Sequence, residues 1–412
     1  MAGRHFDIYL NTDRFGTVHA ADLCVLEDHL SYLQCEITYT GDYLDLDTAF
    51  ALDPVALPLT SRSGLFDGGG IPALVDDYLP DEWARRVLTY VAYYRDHRKY
   101  RYNGTSDILL MIGPARIGAL SIVPQGLPPV FDGGPDLAQL SLIEGAAHQL
   151  EPGLLDYRTP SALELRYLSR ASTGVGGARP KALLHDENGH YLAKFNAGRD
   201  PFNNARVELA CLRMAQASGI VIEDGKVVPS GNGPGRDVLL VSRFDITPSG
   251  DRRHIISVNG LLKEQRSQKD FGGVFRYDEI NRLIERISVD VDADRVQLLR
   301  RMLFNRAINN TDDHARNFSF IHTSEGYRMA PAYDLVPSLQ LAGYHEAGCG
   351  ENPNPPRPTE ARKLGSLLSL PASRVSQVAD EVISAVERWR ELFEEAGVHE
   401  EDVEKVGKVI RL

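Results

Sequence analysis

A short polar segment at 309–317 lies between two apolar parts of the chain. The residues before it, up to about Ile308, have the periodicity of a long helix. The residues after it predict two short strands, beginning at Phe318 and Tyr327, joined by a Ser-Glu-Gly turn at 324–326. A helix and a hairpin thus hold the ends of a loop that is almost entirely polar. This order favours an α+β fold in which a rigid frame presents the loop.

The overall composition restricts the class of protein. The chain has 412 residues, of which 43% are hydrophobic and 25% charged, so it is globular and too long for one small core. A formal charge of -12 argues against a free-standing nucleic-acid binder. No secretory signal opens the chain, and the longest apolar stretch, 108–112, is too short to cross a bilayer. Four scattered cysteines favour a reducing compartment, so we expect a cytoplasmic protein without membrane contact: Cys24, Cys35, Cys211 and Cys349.

Turn signals and periodicity divide the chain into three predicted regions. Residues 1–135 contain short strands, one helix at about 81–94, and a Pro/Gly-rich end. Residues 136–245 contain a glycine-rich loop, a strand hairpin, a helix and a buried strand. Residues 246–412 are mainly helical and end in a packed helix spanning about 375–392. We therefore predict a small β-rich domain, a β-rich lobe and a helical lobe.

The spacing within the polar loop matches the needs of phosphoryl transfer. That reaction requires a carboxylate to orient or deprotonate the acceptor hydroxyl, and oxygen ligands for Mg²⁺. Protein kinases place the base Asp five positions before a metal-binding Asn. Asp312 and Asn317 have this spacing, and Asp334 follows the hairpin. We predict Asp312 as the catalytic base and Asn317 and Asp334 as Mg²⁺ ligands, with Asp313 supporting the loop.

The middle region contains matching elements for a nucleotide. Lys194 lies near the end of the second hairpin strand, where kinases place the lysine that contacts phosphates. Glu208, early in the next helix, is its predicted ion-pair partner. Glycines within 174–181 would let backbone N–H groups approach phosphate. The segment 242–244 ends a buried strand and is predicted to connect the lobes and to bind adenine through its backbone.

Motifs along nearly the whole chain resemble the HipA family. They are Leu79-Pro-Asp-Glu-Trp-Ala-Arg-Arg86, Ile117-Gly-Ala-Leu120, Gly177-Ala-Arg-Pro-Lys181, Ala193-Lys-Phe195, Arg243-Phe-Asp245, Asn310-Thr-Asp-Asp-His-Ala-Arg-Asn-Phe-Ser319 and Pro331-Ala-Tyr-Asp-Leu335. The resemblance implies a two-lobed protein-kinase-like fold, phosphorylation of serine or threonine, and a role as a bacterial growth-arrest toxin. It also implies a HipB-type helix-turn-helix antitoxin, with DNA reached only through that complex. It suggests a translation component, such as an aminoacyl-tRNA synthetase, as protein substrate.

Spacing and resemblance together give a set of residues for ATP and Mg²⁺. The predicted catalytic residues are Asp312, Lys194 and Glu208. The predicted nucleotide-binding residues are Gly176, Gly177, Ala178, Arg179, Pro180, Lys181, Lys194, Ser242, Arg243, Phe244, His314, Asn317, Tyr333 and Asp334.

The chain departs from the kinase and HipA patterns at several positions. The segments 310–312 and 333–335 replace the kinase His-Arg-Asp and Asp-Phe-Gly sequences. Asp270-Phe-Gly272 spells the second signature but precedes the loop, so we interpret it as a decoy. Resembling proteins autophosphorylate a serine of the glycine-rich loop, and Gly174 stands at that distance here. Ser172 and Thr173 are the nearest alternative acceptors.

Other interpretations of the same residues remain open. Lys194 and Glu208, each taken alone, would be solvated charges. The polar groups of 312–314 could merely cap a helix end. Asp312, Asp313, His314 and Asp334 could instead bind a transition metal in a phosphoesterase. A third hypothesis is a catalytically idle co-repressor with a DNA-binding partner.

Overall fold

The computed structural model describes residues 3–28, 33–66, 71–94, 97, 104–151, 160–233, 235–266, 275–340 and 343–412. The decoy motif at 270–272 lies outside these residues. Among the described helices, none is long and apolar enough to cross a membrane.

Fourteen strands are described in this part of the chain: β1 (Arg4–Thr12), β2 (Gly16–Glu27), β3 (Leu33–Tyr39), β4 (Ser63–Phe66), β5 (Leu120–Pro124), β6 (Lys181–Asp186), β7 (Gly189–Phe195), β8 (Gly225–Pro229), β9 (Asp237–Ser242), β10 (Ile255–Ser257), β11 (Phe275–Arg276), β12 (Ser319–His322), β13 (Tyr327–Met329) and β14 (Ala347–Gly348).

The described α-helices are likewise fourteen: α1 (Gly41–Leu44), α2 (Ala73–Tyr78), α3 (Glu82–Tyr94), α4 (Thr105–Met111), α5 (Leu140–Gln149), α6 (Ala162–Ser172), α7 (Asn204–Ala217), α8 (Val258–Arg266), α9 (Tyr277–Ile287), α10 (Val291–Ile308), α11 (Pro358–Ala361), α12 (Ala372–Glu387), α13 (Trp389–Glu395) and α14 (Glu400–Gly407).

The chain forms two compact units. The first unit comprises Met1–Arg199, Pro229–Ile256 and Gly260–Lys269, and the second comprises Asp200–Val228, Ser257–Asn259 and Asp270–Leu412. Strands β8 and β10 and helix α8 have residues in both units. The predicted boundaries at 135 and 245 stay predictions, because these units are assembled from several separate stretches of chain.

An antiparallel sheet in the order β4-β3-β2-β1-β5 forms the N-terminal part of the first unit. Strand β1, which lies between β2 and β5, places every second residue, Phe6, Ile8 and Leu10, in the core, where they are almost completely buried. The pairing of β1 with β2 shifts by one residue between Ile8 and Tyr9, which is a β-bulge. Three predicted strand segments, at 6–10, 33–39 and 117–124, overlap β1, β3 and β5.

A second antiparallel sheet of the first unit contains β6, β7 and β9 in that order. The turn between β6 and β7 is closed by the Asp186 side chain, whose Oδ1 accepts from the N–H groups of Asn188 (2.8 Å) and Gly189 (3.0 Å). Lys181 and Lys194 face each other in the register of this hairpin. The predicted order of glycine-rich loop, strand, turn and lysine-bearing strand is confirmed.

A buried ion pair joins the sequence after β9 to the loop before β5. Arg243 Nε donates to Asp245 Oδ1 at 2.9 Å, and Asp245 Oδ2 accepts from the N–H of Gly118 at 2.6 Å. Both side chains are almost fully buried. Burial alone would raise the pKa of Asp245, but the Arg243 guanidinium and the hydrogen bonds outweigh it and hold that pKa below its usual value. This ion pair therefore connects the two parts of the first unit.

The second unit is mainly helical. Helix α10 ends at Ile308 as predicted, and Asn309 follows it in the left-handed conformation (φ 57°) that commonly ends helices. Strands β12 and β13 form the predicted hairpin. The C-terminal segment differs from the single predicted helix, because α12 and α13 are separate helices that meet at Arg388.

Helices α5 and α6, which precede the glycine-rich loop, were not predicted. Helix α6 begins with a capping box: the Ser161 hydroxyl accepts from Glu164 N–H at 3.2 Å, and the Glu164 carboxylate accepts from Ser161 N–H at 2.6 Å. Leu165 and Leu168 are buried just after it. A search for Ser-x-x-Glu before an apolar pair would have found this helix.

Candidate active site

The polar loop is attached to its frame by asparagines. Asn310 donates through Nδ2 to Asn305 Oδ1 on α10 (3.1 Å) and to the carbonyl of Asp334 (3.2 Å). Asn309 donates from Nδ2 to the carbonyl of Ser338 at 2.7 Å. The helix end, the loop and the segment after the hairpin are therefore held together by side-chain hydrogen bonds.

Asp313 is the buried anchor of this loop. Its Oδ2 accepts from the Tyr277 hydroxyl at 2.8 Å and lies 2.8 Å from His345 Nδ1, while Oδ1 accepts from Ala347 N–H at 3.1 Å. The side chains of Asp313 and His345 are fully inaccessible to solvent. Burial raises the pKa of Tyr277 well above its usual value, with a further contribution from Asp313, so the phenol remains a hydrogen-bond donor. The supporting role predicted for Asp313 thus has a physical basis.

Asp312 points away from that network. Its side chain is 76% exposed, and Oδ1 lies 3.6 Å from Nε2 of His314. Its pKa is raised, first by partial desolvation and then by the carboxylates of Asp334, Glu346 and Asp313, whereas His314 acts in the opposite direction. An accessible carboxylate with a raised pKa is suited to accept a proton from a hydroxyl group.

The amide of Asn317 turns back onto the loop. Its Nδ2 donates to the carbonyl of Asp312 at 2.6 Å, and its backbone N–H donates to the carbonyl of His314 at 2.9 Å. Residues 315–317 form a single 3₁₀ turn that produces this return. The predicted pair Asp312 and Asn317 is therefore brought together by direct contact.

The segment after the hairpin completes the cluster in the second unit. Tyr333 contacts Ser319 through its hydroxyl (2.6 Å) and donates to the carbonyl of Arg316 at 2.9 Å. Asp334 has a φ of 55°, which residues other than glycine rarely adopt and which commonly marks functional positions. Asp312, His314, Asn317, Tyr333 and Asp334 thus belong to one local arrangement.

In the first unit, the glycine-rich loop joins α6 to β6. Gly177 has a φ of 97°, and a Cβ atom built on it would collide with Nζ of Lys181. The lysine head therefore lies close to the loop backbone, and the positive φ favours glycine at 177.

Two residues that sequence reasoning did not assign to the site hold this loop in place. Asp81 Oδ2 accepts from the N–H of Gly177 at 2.7 Å. The buried Trp83 donates from its backbone N–H to the Gly177 carbonyl (3.3 Å) and from Nε1 to the Lys181 carbonyl (3.2 Å). Both belong to the motif at 79–86, so its presence in the HipA pattern was the available signal.

Gly174 occupies the position where resembling proteins have a phosphorylatable serine, and its surroundings exclude any side chain. A Cβ atom there would collide with the carbonyl oxygen of Ala115. We expect Gly174→Ala to lower the free energy of unfolding by about 1–3 kcal/mol, the range for overpacking, as measured by urea denaturation. Gly41→Ala is the matched control, because no atom lies within 4 Å of the Cβ position at Gly41. Equal denaturation midpoints for Gly174→Ala and wild type would contradict this close approach.

The two alternative phosphate acceptors are buried. Ser172 Oγ donates to the Lys181 carbonyl at 2.7 Å, and Thr173 Oγ1 donates to the Ser169 carbonyl at 2.8 Å. Neither side chain is accessible to solvent. Phosphorylation of either hydroxyl would require this segment to leave its present conformation. Autophosphorylation at these residues stays a prediction.

The remaining predicted residues are distributed between the two units. Arg243 donates its backbone N–H to the His190 carbonyl at 3.0 Å, so this N–H is not available to adenine in the present conformation. Ser242 ends β9, and Phe244 follows in the same connection. Lys194 lies in the first unit and Glu208, on α7, in the second. Their ion pair stays a prediction.

The rival metal-hydrolase arrangement receives no geometric support. Although all four side chains are described, Asp312, Asp313, His314 and Asp334 supply no group of three ligand atoms within 4.8 Å of one another. Asp313 already uses both of its oxygens inside the protein.

Two family models match the chain. The HipA N-terminal domain matches residues 6–123, and the HipA-like C-terminal domain matches residues 173–390, which is more than half of the chain. The chain belongs to the HipA family. The predicted resemblance is thereby confirmed.

Relatives of this HipA-family protein include proteins named as kinases. "Putative kinase Y4mE" of Sinorhizobium fredii is 26% identical over 377 residues, covering 85% of each chain. A protein of Haemophilus influenzae with the name "Putative kinase" is 26% identical over 178 residues, covering 39% of this chain and 52% of its own length. At a general level, these relatives support kinase activity.

A solved structure has the same fold. The HipA chain in a complex of HipA, HipB and operator DNA from the Shewanella oneidensis toxin–antitoxin system matches with a TM-score of 0.66 at 19% identity, covering 98% of this chain and 94% of that one. The predicted α+β, HipA-like fold is confirmed.

Proposed function

We propose that this protein is an ATP- and Mg²⁺-dependent serine/threonine protein kinase. The observation that carries the proposal is the loop at 310–317. Asp312 has an exposed carboxylate with a raised pKa, its backbone carbonyl accepts a hydrogen bond from the Asn317 amide, and Asp313 anchors the loop in the interior. Kinase chemistry uses this combination for the acceptor hydroxyl and the metal. The names of the relatives support the same general activity.

Each residue of the loop has a distinct proposed role. Asp312 would orient the acceptor hydroxyl and take its proton. Asn317 donates from Nδ2 to the Asp312 carbonyl, which leaves its amide oxygen as the group suited to Mg²⁺. The Asp334 carboxylate would supply the second hard oxygen ligand. When bound, ATP supplies the phosphoryl group and Mg²⁺ neutralises phosphate charge.

The residues of the first unit would bind the nucleotide. Lys181 brings an ammonium group against the backbone of Gly177, which is suited to phosphate. Lys194, opposite Lys181 in the hairpin, would contact the α- and β-phosphates, and Glu208 would position it.

The biological role follows from the family rather than from the site. We propose a toxin that arrests growth by phosphorylating a cellular protein, and translation components such as aminoacyl-tRNA synthetases are the first candidates to test. A HipB-type helix-turn-helix antitoxin would be its partner, because the matching HipA chain was solved with HipB and operator DNA. DNA would be contacted through that partner, in the cytoplasm.

Transfer of labelled γ-phosphate from Mg-ATP onto proteins of a bacterial extract tests the proposed reaction. We expect label on serine or threonine and none when Mg²⁺ is chelated. Release of phosphate from a phosphoester without ATP would instead support the metal hydrolase. Binding of a helix-turn-helix partner without any transfer would support the idle co-repressor.

The pH dependence of transfer gives a further prediction. Transfer requires deprotonated Asp312, so the rate falls as the pH drops through its pKa. His314 lowers that pKa, so His314→Asn should raise it and move the acidic limb of the kcat/KM profile to higher pH. His399→Asn, at the N-terminus of α14, is the control and should leave the limb in place. An unmoved limb in His314→Asn would show that His314 does not act on the base.

A further inference from the structure

Three side chains with metal-ligand chemistry meet on the N-terminal sheet. Asp7 lies on β1, and His19 and Asp22 lie on β2. Their ligand atoms all lie within 4.8 Å of one another. Nε2 of His19 is 3.0 Å from Oδ1 of Asp22 and 3.7 Å from Oδ1 of Asp7.

The strand register produces this cluster. Asp7 and Asp22 are direct partners across the antiparallel pair, a position in which like charges destabilise a sheet. Beyond the bulge at Ile8 and Tyr9, His19 pairs with Tyr9, and their rings stack with centroids 5.0 Å apart. The stacked ring keeps Nε2 beside both carboxylates.

Two polar atoms of the cluster, one on Asp7 and one on His19, have no hydrogen-bond partner among the described residues outside the cluster. Asp7 is only 5% exposed; its Oδ2 accepts from Gly126 N–H at 2.8 Å, but Oδ1 accepts no hydrogen bond from any described residue. Nε2 of His19 is buried and makes no well-aligned hydrogen bond to a described residue, although Asp22 Oδ1 lies 3.0 Å away. A buried carboxylate of this kind requires a nearby positive charge. A cation between the three atoms would supply it.

We propose that Asp7, His19 and Asp22 bind one divalent transition-metal ion of the Zn²⁺ class. Ligands about 2.0–2.2 Å from a tetrahedral ion are separated by about 3.3–3.6 Å, close to the two distances from His19. One imidazole with two carboxylates suits Zn²⁺, whereas Mg²⁺ prefers oxygen ligands alone. The hydrogen bond from the N–H of Gly126 orients the Asp7 carboxylate, as hydrogen bonds to metal-binding carboxylates commonly do. Three protein ligands leave a fourth position for water.

Calorimetric titration of the full chain with Zn²⁺, after chelator treatment and in a large excess of Mg²⁺, tests this site. The Mg²⁺ occupies oxygen-ligand sites such as the one proposed at Asn317 and Asp334. We expect wild type to bind one more Zn²⁺ than His19→Ala, and Asp22→Asn to bind that ion at least about tenfold more weakly. Asp22 is half exposed, so its variant should fold. His5→Ala, an exposed histidine of β1, is the matched control and should bind as wild type does.

Thermal unfolding provides a second readout of the same ion. Zn²⁺ should raise the Tm of wild type and of His5→Ala but not that of His19→Ala, because only a native-state site gains from binding. Equal Zn²⁺ stoichiometry in wild type and His19→Ala would overturn the proposal. No Zn²⁺ binding by wild type would also overturn it.

Discussion

Replacing Asp312 by asparagine is expected to lower phosphoryl transfer by about 10²–10⁴-fold. The amide has nearly the shape of the carboxylate but cannot accept a proton from the attacking hydroxyl. Nucleotide affinity should change much less, because Lys181, Lys194 and the glycine-rich loop are untouched. Initial rates of γ-phosphate transfer, measured together with ATP binding by calorimetry, separate these two effects.

The same substitution should leave the fold intact. The Asp312 side chain is 76% exposed and has only a 3.6 Å contact with His314. Surface changes of this kind usually alter the free energy of unfolding by less than about 0.5 kcal/mol. Asp13→Asn, at an exposed position between β1 and β2, is a matched carboxylate control that should retain kinase activity. Equal transfer rates in wild type and Asp312→Asn would remove Asp312 as the base and with it the proposed mechanism.

Replacing the neighbouring Asp313 by alanine is expected to cost about 3 kcal/mol or more of unfolding free energy, because each buried polar group left without a hydrogen bond costs about 1–3 kcal/mol. The substitution would leave the Tyr277 hydroxyl, the His345 ring and the Ala347 N–H without their common acceptor in the protein interior. Activity should also fall, because the loop loses its anchor. Urea denaturation followed by circular dichroism measures this cost.

Two further variants distinguish anchoring from general damage to the loop. Tyr277→Phe removes one of the hydrogen bonds to Asp313 and also the one that the Tyr277 hydroxyl accepts from Asn305 Nδ2 at 3.1 Å, and should cost about 1–3 kcal/mol. Asp312→Ala, one residue away, should unfold at nearly the wild-type urea concentration. If Asp313→Ala were as stable as Asp312→Ala, the buried network would not be what holds the loop.

Much of the candidate site could be predicted because its signals are local. Asp312 and Asn317 are separated by only five peptide bonds. Their contact, from Nδ2 of Asn317 to the carbonyl of Asp312, stays inside one loop. The hairpin bearing Lys181 and Lys194 is closed by its own Asp-Glu-Asn-Gly turn. Helix α10 ends where apolar periodicity gives way to asparagine. Backbone preferences of neighbouring residues are enough to produce such elements.

The errors arose where local preference does not decide, whereas one omission, helix α6, did have a local signal. The single helix predicted for 375–392 preserves its apolar pattern across Arg388, yet the chain begins a new helix there. Helix α6 was overlooked although its capping box is a local signal. The rival metal site combined the adjacent residues 312–314 with Asp334, whereas Asp313 turns inward and Asp312 outward.

By itself, the sequence determined the HipA family, the α+β fold and the residue types needed for phosphoryl transfer. Only the tertiary structure decided which contacts hold the site residues in place. Asp313 is anchored by Tyr277 and His345, which are 36 and 32 positions away, and Gly177 is held by Asp81 across 96 positions. Such contacts form only when several distant segments pack together. The hydrophobic pattern of a segment indicates that it is buried but not which polar groups it will contact. The polar loop was therefore evident in the sequence, while the difference between its two adjacent aspartates was not.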